Sequence, residues 1–302
     1  SKNNSFAKLQ GYWWGAYPRA NTLSRENLVR ANALLLSVAA QFNEERAGRV
    51  LDWFKSVKII SGLEEEGYQG FTMYRTQTPT HKQSIMDLLK VADFGIDDIT
   101  LEPLDLNKLP KHMPKEIKDS IEKKVREDKD GEYVTDVLTT HKQYNSKGEY
   151  VSNVQFSLEE DESSGTKKFF ALTGPVLDSL ENGYVLIVDE LDSKIHPNLV
   201  CKIVSLFNSK TLNPKNAQLI FNTHDTNLLS SKLFRRDQIW FTEKNRLGAS
   251  RMFSLADFKS EVRREDKFEE NYLKGKYGAV PYLGEFDQMI AAQNLIEHEN
   301  EG

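Results

Sequence analysis

A chain of 302 residues, 39% apolar and carrying 16 Phe and 11 Tyr, is long enough to bury one large core or two ordinary ones. Its mean hydropathy of −0.57 and 28% charged residues describe a globular protein with a polar surface, and no apolar run approaches the ~18 residues of a membrane span. A net charge of −5 gives no global bias toward nucleic acid, and the single Cys201 excludes an internal disulfide and fits a reducing cytoplasm.

In chain order, residues 1–26 are rich in aromatics, Gly and Asn and read as an irregular lead-in. From Glu26 to Phe54, apolar residues recur at spacings of three and four, the pattern of one long packed helix. Gln41 lies inside that pattern, where a packing or surface role suits it better than nucleotide sensing. Val57–Gly62 and Gly70–Tyr74 read as strands or a connecting arm, His81–Asp93 as a second helix, and Gly95–Ile99 as a return strand. Leu106–Glu127 interleaves lysines with acids and is broken by Pro110 and Pro114. It reads as a solvated helix, or as a stunted arm toward a partner or nucleic acid. Tyr133–His141 and Tyr150–Leu158 alternate apolar and polar residues around Asn145-Ser146-Lys147-Gly148, a hairpin signal.

The next three segments carry chemistry. Glu162-Ser163-Ser164-Gly165-Thr166-Lys167-Lys168 precedes the helical stretch Phe169–Leu180. Small residues allow close backbone approach to a phosphate, and the helix they open aims amides and a positive dipole end at an anion. The plain alternative is a loop and a helix cap. Gly183-Tyr184-Val185-Leu186-Ile187-Val188-Asp189-Glu190 is an apolar run ending in two carboxylates. Such a run is a strand buried on both faces, and its carboxyl end is where open α/β sheets place ligands. In nucleotide hydrolysis the first acid holds Mg²⁺ and the second polarises the attacking water. The alternative is a core strand that ends in two solvated acids. Ala217–Asp225 is another apolar strand and ends in Thr223-His224-Asp225, where the imidazole suits a phosphate oxygen. Beyond it come a short helix, strands at Gln238–Phe241 and Arg251–Phe253 about a turn at Gly248, and a helix start capped by Ser254. A helical Glu269–Lys274 stopped by Gly275 follows, then a tail from Glu285 that is amphipathic and finally acidic.

In this order the segments resemble the C-terminal half of ABC-type ATPase heads of the SMC/RecF-like class. More narrowly, they are similar to AAA-type ABC ATPases of prokaryotic phage-defence and abortive-infection loci. The shared motifs are Glu-Ser-x-Gly-Thr, Asp-Glu-x-Asp-x-x-x-His-Pro, Thr-His-Asp-Thr and a late Tyr-Gly-Ala-x-Pro, here Tyr277 to Pro281. The resemblance implies an α/β, P-loop NTPase sandwich of ABC type with a helical subdomain. It implies ATP and Mg²⁺ as cofactors, with Asp189 as metal ligand, Glu190 as catalytic base and His224 at the γ-phosphate. Ser163, Ser164 and Gly165 would form a divergent signature acting on the nucleotide of a second subunit, and Asp192 would sit at the dimer seam. His196, ahead of Pro197, reads as a cap or packing residue.

The expected division is residues 1–160 as a first-lobe remnant with arm and hairpin, 161–285 as the ATPase core, and 286–302 as the tail. The implied partners are a second copy, a separate effector such as a nuclease, and DNA, with no membrane; the implied location is cytoplasmic. A DNA-repair head and a nucleotide-gated scaffold are the rival readings. A built-in nuclease is disfavoured, since no Asp-x-Asp follows Thr226. A phosphate loop needs Gly, four residues, then Gly-Lys-Ser/Thr. No glycine here starts that pattern, and the sole Gly-Lys, Gly275-Lys276, is followed by Tyr277. Two accounts stand: an N-terminal lobe lies outside the sequence, the favoured one, or the loop has been lost. On either, this chain alone is expected to be inactive.

Overall fold

The helical pattern that opens the chain is cut in two in the computed structural model, which describes residues 30, 32–64, 66–103, 134–230, 232–245, 247–258 and 267–280. The helices are α1 (Leu35–Gln41) and α2 (Glu45–Lys55). Between them Asn43 adopts a left-handed φ of 59°, and the Glu44 carboxylate accepts from the Ala47 amide at 2.6 Å to start α2 afresh. Gln41 is exposed at the end of α1. The lead-in, the lysine-rich Leu106–Glu127, Pro281 and the tail lie outside the described residues.

Strand β1 (Val57–Ser61) leads to helix α3 (Glu66–Thr76), which corrects the strand or arm expected at Gly70–Tyr74. Tyr68, Thr72, Arg75 and Thr76 fall on one helical face and are all buried, Thr72 completely. That burial outweighs the low helical propensity of Gly67 and Gly70. Helix α4 (Pro79–Val91) buries Ile85, Met86 and Leu89. Then β2 (Ile96–Pro103), β3 (Val134–Tyr144) and β4 (Tyr150–Ser157) form an antiparallel sheet in that order. The expected hairpin joins β3 to β4, its turn closed by the Asn145 side chain, which accepts from the amides of Lys147 and Glu149.

Helix α5 (Ser164–Asn182), strand β5 (Val185–Asp189), helix α6 (Pro197–Asn208) and strand β6 (Gln218–Phe221) complete the α/β layer. Its sheet runs β1-β5-β6, parallel throughout, with β5 in the middle. The central position explains the unbroken Val-Leu-Ile-Val run: Val185, Leu186 and Val188 are buried. Helix α5 ends on Gly183, left-handed at φ 74°, whose amide donates to Ser179 O at 2.8 Å.

Pro175 sits inside α5 and has no N–H for the carbonyl of Ala171. The Thr72 hydroxyl of α3 replaces it, donating to Ala171 O at 2.6 Å and accepting from Gly174 N at 3.2 Å. A Cβ at position 174 would collide with that hydroxyl, so glycine is what lets the helices meet so closely. Arg75 fixes the same pair of helices through Asp178 at 3.1 Å and Glu181 at 2.6 Å.

The chain divides into two units, Ser1–Thr223 and His224–Gly302. In the second, β7 (Trp240–Lys244) and β8 (Ser250–Ser254) pair antiparallel. Helix α7 (Phe268–Leu273) follows. Its core is Ile239, Phe241, Leu255, Phe268 and Tyr277, with Tyr272 stacked on Phe241 at 5.3 Å between ring centres. Ser254 caps a short 3-10 turn by accepting from Ala256 N, as its sequence position suggested. The late Tyr-Gly-Ala segment has a structural role here: Tyr277 is buried, and the Ala279 amide donates to Glu243 Oε2 at 3.0 Å. Among the described residues, no helix is long and apolar enough to cross a membrane.

Candidate functional site

Asp189 ends β5 with its side chain exposed, and Glu190 follows in a left-handed conformation at φ 51°. The chain then tightens into a turn: Ser193 N donates to Glu190 O at 3.2 Å and Ile195 N to Asp192 O at 3.1 Å. Leu191, fully buried, anchors that turn in the core. Gly62, just past β1, donates its amide to Asp189 O, and a Cβ there would overlap the carbonyls of both Asp189 and Glu190. Only glycine allows the neighbouring strand end to close so tightly on the acidic pair.

Asn222, one residue past β6, ties the two acids together. Its Nδ2 donates to the Asp189 carboxylate, and its Oδ1 accepts from the Glu190 amide. Sequence reasoning assigned Asn222 no role. An amide after a strand has no signature of its own, and only the β5–β6 register, Val188 opposite Phe221, shows what it meets.

The start of α5 packs against the same turn. A Cβ on Gly165 would stand 2.8 Å from Lys194 O. Ser163 is the N-cap: its Oγ accepts from Thr166 N at 3.1 Å and pairs with Thr166 Oγ1 at 2.9 Å. Ser163 and Ser164 are exposed. Just before them Glu162 is held by Thr139 Oγ1 at 2.6 Å and lies 2.7 Å from His141 Nε2. This link from β3 was also missed, though the two-residue spacing puts Thr139 and His141 on one face of their strand. Asp192 is half-buried, and its Oδ1 has no hydrogen-bond partner among the described residues. His196 caps α6 by accepting from Asn198 N at 3.2 Å, which agrees with the plain reading of it. The first unit thus gathers Ser163, Ser164, Gly165, Asp189, Glu190 and Asp192 around one turn. His224, exposed, is the first residue of the second unit.

Among the described residues, no cluster of three His, Cys, Asp or Glu side chains could hold a metal alone. Mg²⁺ does not need one, since it keeps waters and takes one or two carboxylates plus phosphate oxygens. An exposed Asp189 carboxylate with one oxygen oriented by Asn222 fits a magnesium ion that arrives with a nucleotide.

A parallel sheet with an Asp-Glu pair at its carboxyl edge and a capped helix start beside it defines an α/β domain suited to a phosphorylated ligand. Residues 80–230, 151 of the 302, match the family described as "AAA domain, putative AbiEii toxin, Type IV TA system", and the chain belongs to that family. AAA domains are P-loop NTPases, so nucleotide is the ligand class that membership brings. The matched span runs from α4 past β6 and contains Ser163, Ser164, Gly165, Asp189, Glu190, Asp192, Asn222 and His224, while Gly62 lies before it. No curated protein matches the chain.

Proposed function

We propose that the protein is an ATP-hydrolysing ABC-type subunit of a prokaryotic defence system, working as a head-to-head dimer closed by ATP. The observation that carries this reading is the Asp189-Glu190 pair at the end of a buried central strand, held from both sides by Asn222 and Gly62. Asp189 would hold Mg²⁺, whose charge neutralises the phosphates. Glu190 orients and deprotonates the attacking water. His224 donates to a γ-phosphate oxygen. The α5 start, Ser163 to Gly165, turns its amides to the nucleotide of the second subunit, and Asp192, whose buried Oδ1 has no hydrogen-bond partner among the described residues, meets the dimer seam. Phosphoryl transfer needs positioning and charge neutralisation rather than covalent help, and these groups supply both.

The phosphate cradle is absent from these 302 residues. In this reading it belongs to an N-terminal lobe that completes an ABC sandwich. The family's description, "putative AbiEii toxin, Type IV TA system", supports the defence-related setting, and to this the proposal adds a separate effector, such as a nuclease, gated by the dimer. The test is phosphate release from ATP by the full-length protein. Turnover per subunit should depend on Mg²⁺ and rise with protein concentration as dimers form. Full turnover by an isolated monomer would exclude the shared site.

A further inference from the structure

Lys168 lies on the second turn of α5 and is fully buried. An ammonium taken out of water must find oxygen atoms to replace it. One of these is the Glu190 carbonyl, to which Lys168 Nζ donates at 3.0 Å. Glu190 is a non-glycine residue in the left-handed region, a conformation that persists only where the surroundings enforce it. Its amide is engaged by Asn222 and its carbonyl by Lys168 and Ser193. A methionine would fill the Lys168 volume without the desolvation cost, and buried ions are often replaceable in this way with no loss of stability. The cation is therefore better explained by what it holds than by packing.

We propose that Lys168 is a positioning residue for Glu190. It fixes the left-handed backbone that carries the hydrolytic carboxylate, and it ties that backbone to the helix whose first residues meet the partner's nucleotide. Ser163 caps α5, and Ser164, Gly165 and Lys168 lie on its first two turns, so one helix carries both the proposed partner-facing start and the ammonium on the Glu190 carbonyl. The inference rests on the ATPase reading of the site.

The experiment compares Lys168→Met, Lys168→Arg and Glu190→Gln with the parent in the full-length protein, using Mg-ATP as substrate. For Lys168→Met the expected result is a kcat about tenfold or more lower, with KM for Mg-ATP unchanged and an unfolding midpoint at or above the parent's. Lys168→Arg, which keeps a charged donor, should retain more activity than Lys168→Met. A parental kcat in folded Lys168→Met, a KM change that accounts for the whole effect, or loss of folding in both Lys168 variants would overturn the inference. If Lys168→Met is active while Glu190→Gln is dead, the inference fails and the ATPase reading stands. If Glu190→Gln turns over like the parent, the ATPase reading fails, and the role of Lys168 fails with it.

Discussion

Asn222 answers Asp189 across the parallel sheet, its amide nitrogen on the carboxylate and its amide oxygen on the next residue's N–H. One side chain therefore sets both the direction of the oxygen proposed to bind Mg²⁺ and the backbone of the proposed base. Asn222→Leu removes both contacts and leaves the Glu190 amide without its acceptor. Groups that orient a metal ligand typically contribute 10–100-fold in metal affinity or activity. The Mg²⁺ concentration for half-maximal ATP hydrolysis should rise by about that factor, read from a magnesium titration of the full-length variant.

Thr72→Val probes the joint between α3 and α5. Valine keeps the shape but cannot donate to Ala171 O, the carbonyl that Pro175 leaves without a helical partner. A buried acceptor left unsatisfied costs about 1–3 kcal/mol. The urea midpoint should fall accordingly, with no change in slope.

The second unit should be acid-sensitive through Glu243. The Ala279 amide, and then the Arg251 guanidinium, hold its carboxyl below the ordinary value of 4.5. A carboxyl depressed in the folded state contributes stability that is complete above the unfolded value and is lost as pH falls through the folded one. Between about pH 5 and 3 the parent should therefore lose stability relative to Glu243→Gln, whose amide does not titrate in that window. Thermal midpoints across that range, monitored by the near-ultraviolet signal of the aromatic core, check the sign.

Ser163 combines a structural and a proposed functional duty, and two substitutions separate them. Ser163→Ala loses the cap on Thr166 N and should cost about 1 kcal/mol of stability while sparing ATP-dependent dimerisation. Ser163→Arg should also abolish that dimerisation, because the bulky cation occupies the space of the partner's γ-phosphate. Sedimentation of both variants with and without ATP distinguishes the two effects.

The elements around the site were legible because each has a local pattern. The apolar run of β5, the alternation of β3 and β4 and the small-residue start of α5 all stand in the sequence as short windows. Helix α3 was not legible, because its two glycines weaken the local signal and its helix is made by burying Tyr68 and Thr72. The break between α1 and α2 depends on one left-handed Asn43 within an otherwise unbroken apolar period.

Within the site, the acids and the helix cap were visible, and the groups that hold them were not. Glu162 is fixed from Thr139 and His141, and Asp189 from Asn222, contacts between residues distant in sequence. Lys167 and Lys168 are adjacent identical charges in the sequence. Only the phase of α5 separates them, leaving Lys167 half-buried and Lys168 wholly inside.

The central claim is that Glu190 is the hydrolytic base beside a metal-binding Asp189. Glu190→Gln keeps the shape and a hydrogen-bonding oxygen but removes the base, a loss that typically costs ~10²–10⁴ in rate. The most direct measurement is single-turnover ATP hydrolysis by the full-length Glu190→Gln protein, with the oligomeric state followed on the same samples. The predicted result is ATP bound with parental affinity, cleavage slowed by about that factor, and the protein accumulating as a closed, ATP-loaded dimer. Cleavage at the parental rate would contradict the account and return Asp189 and Glu190 to two solvated acids at the end of a core strand.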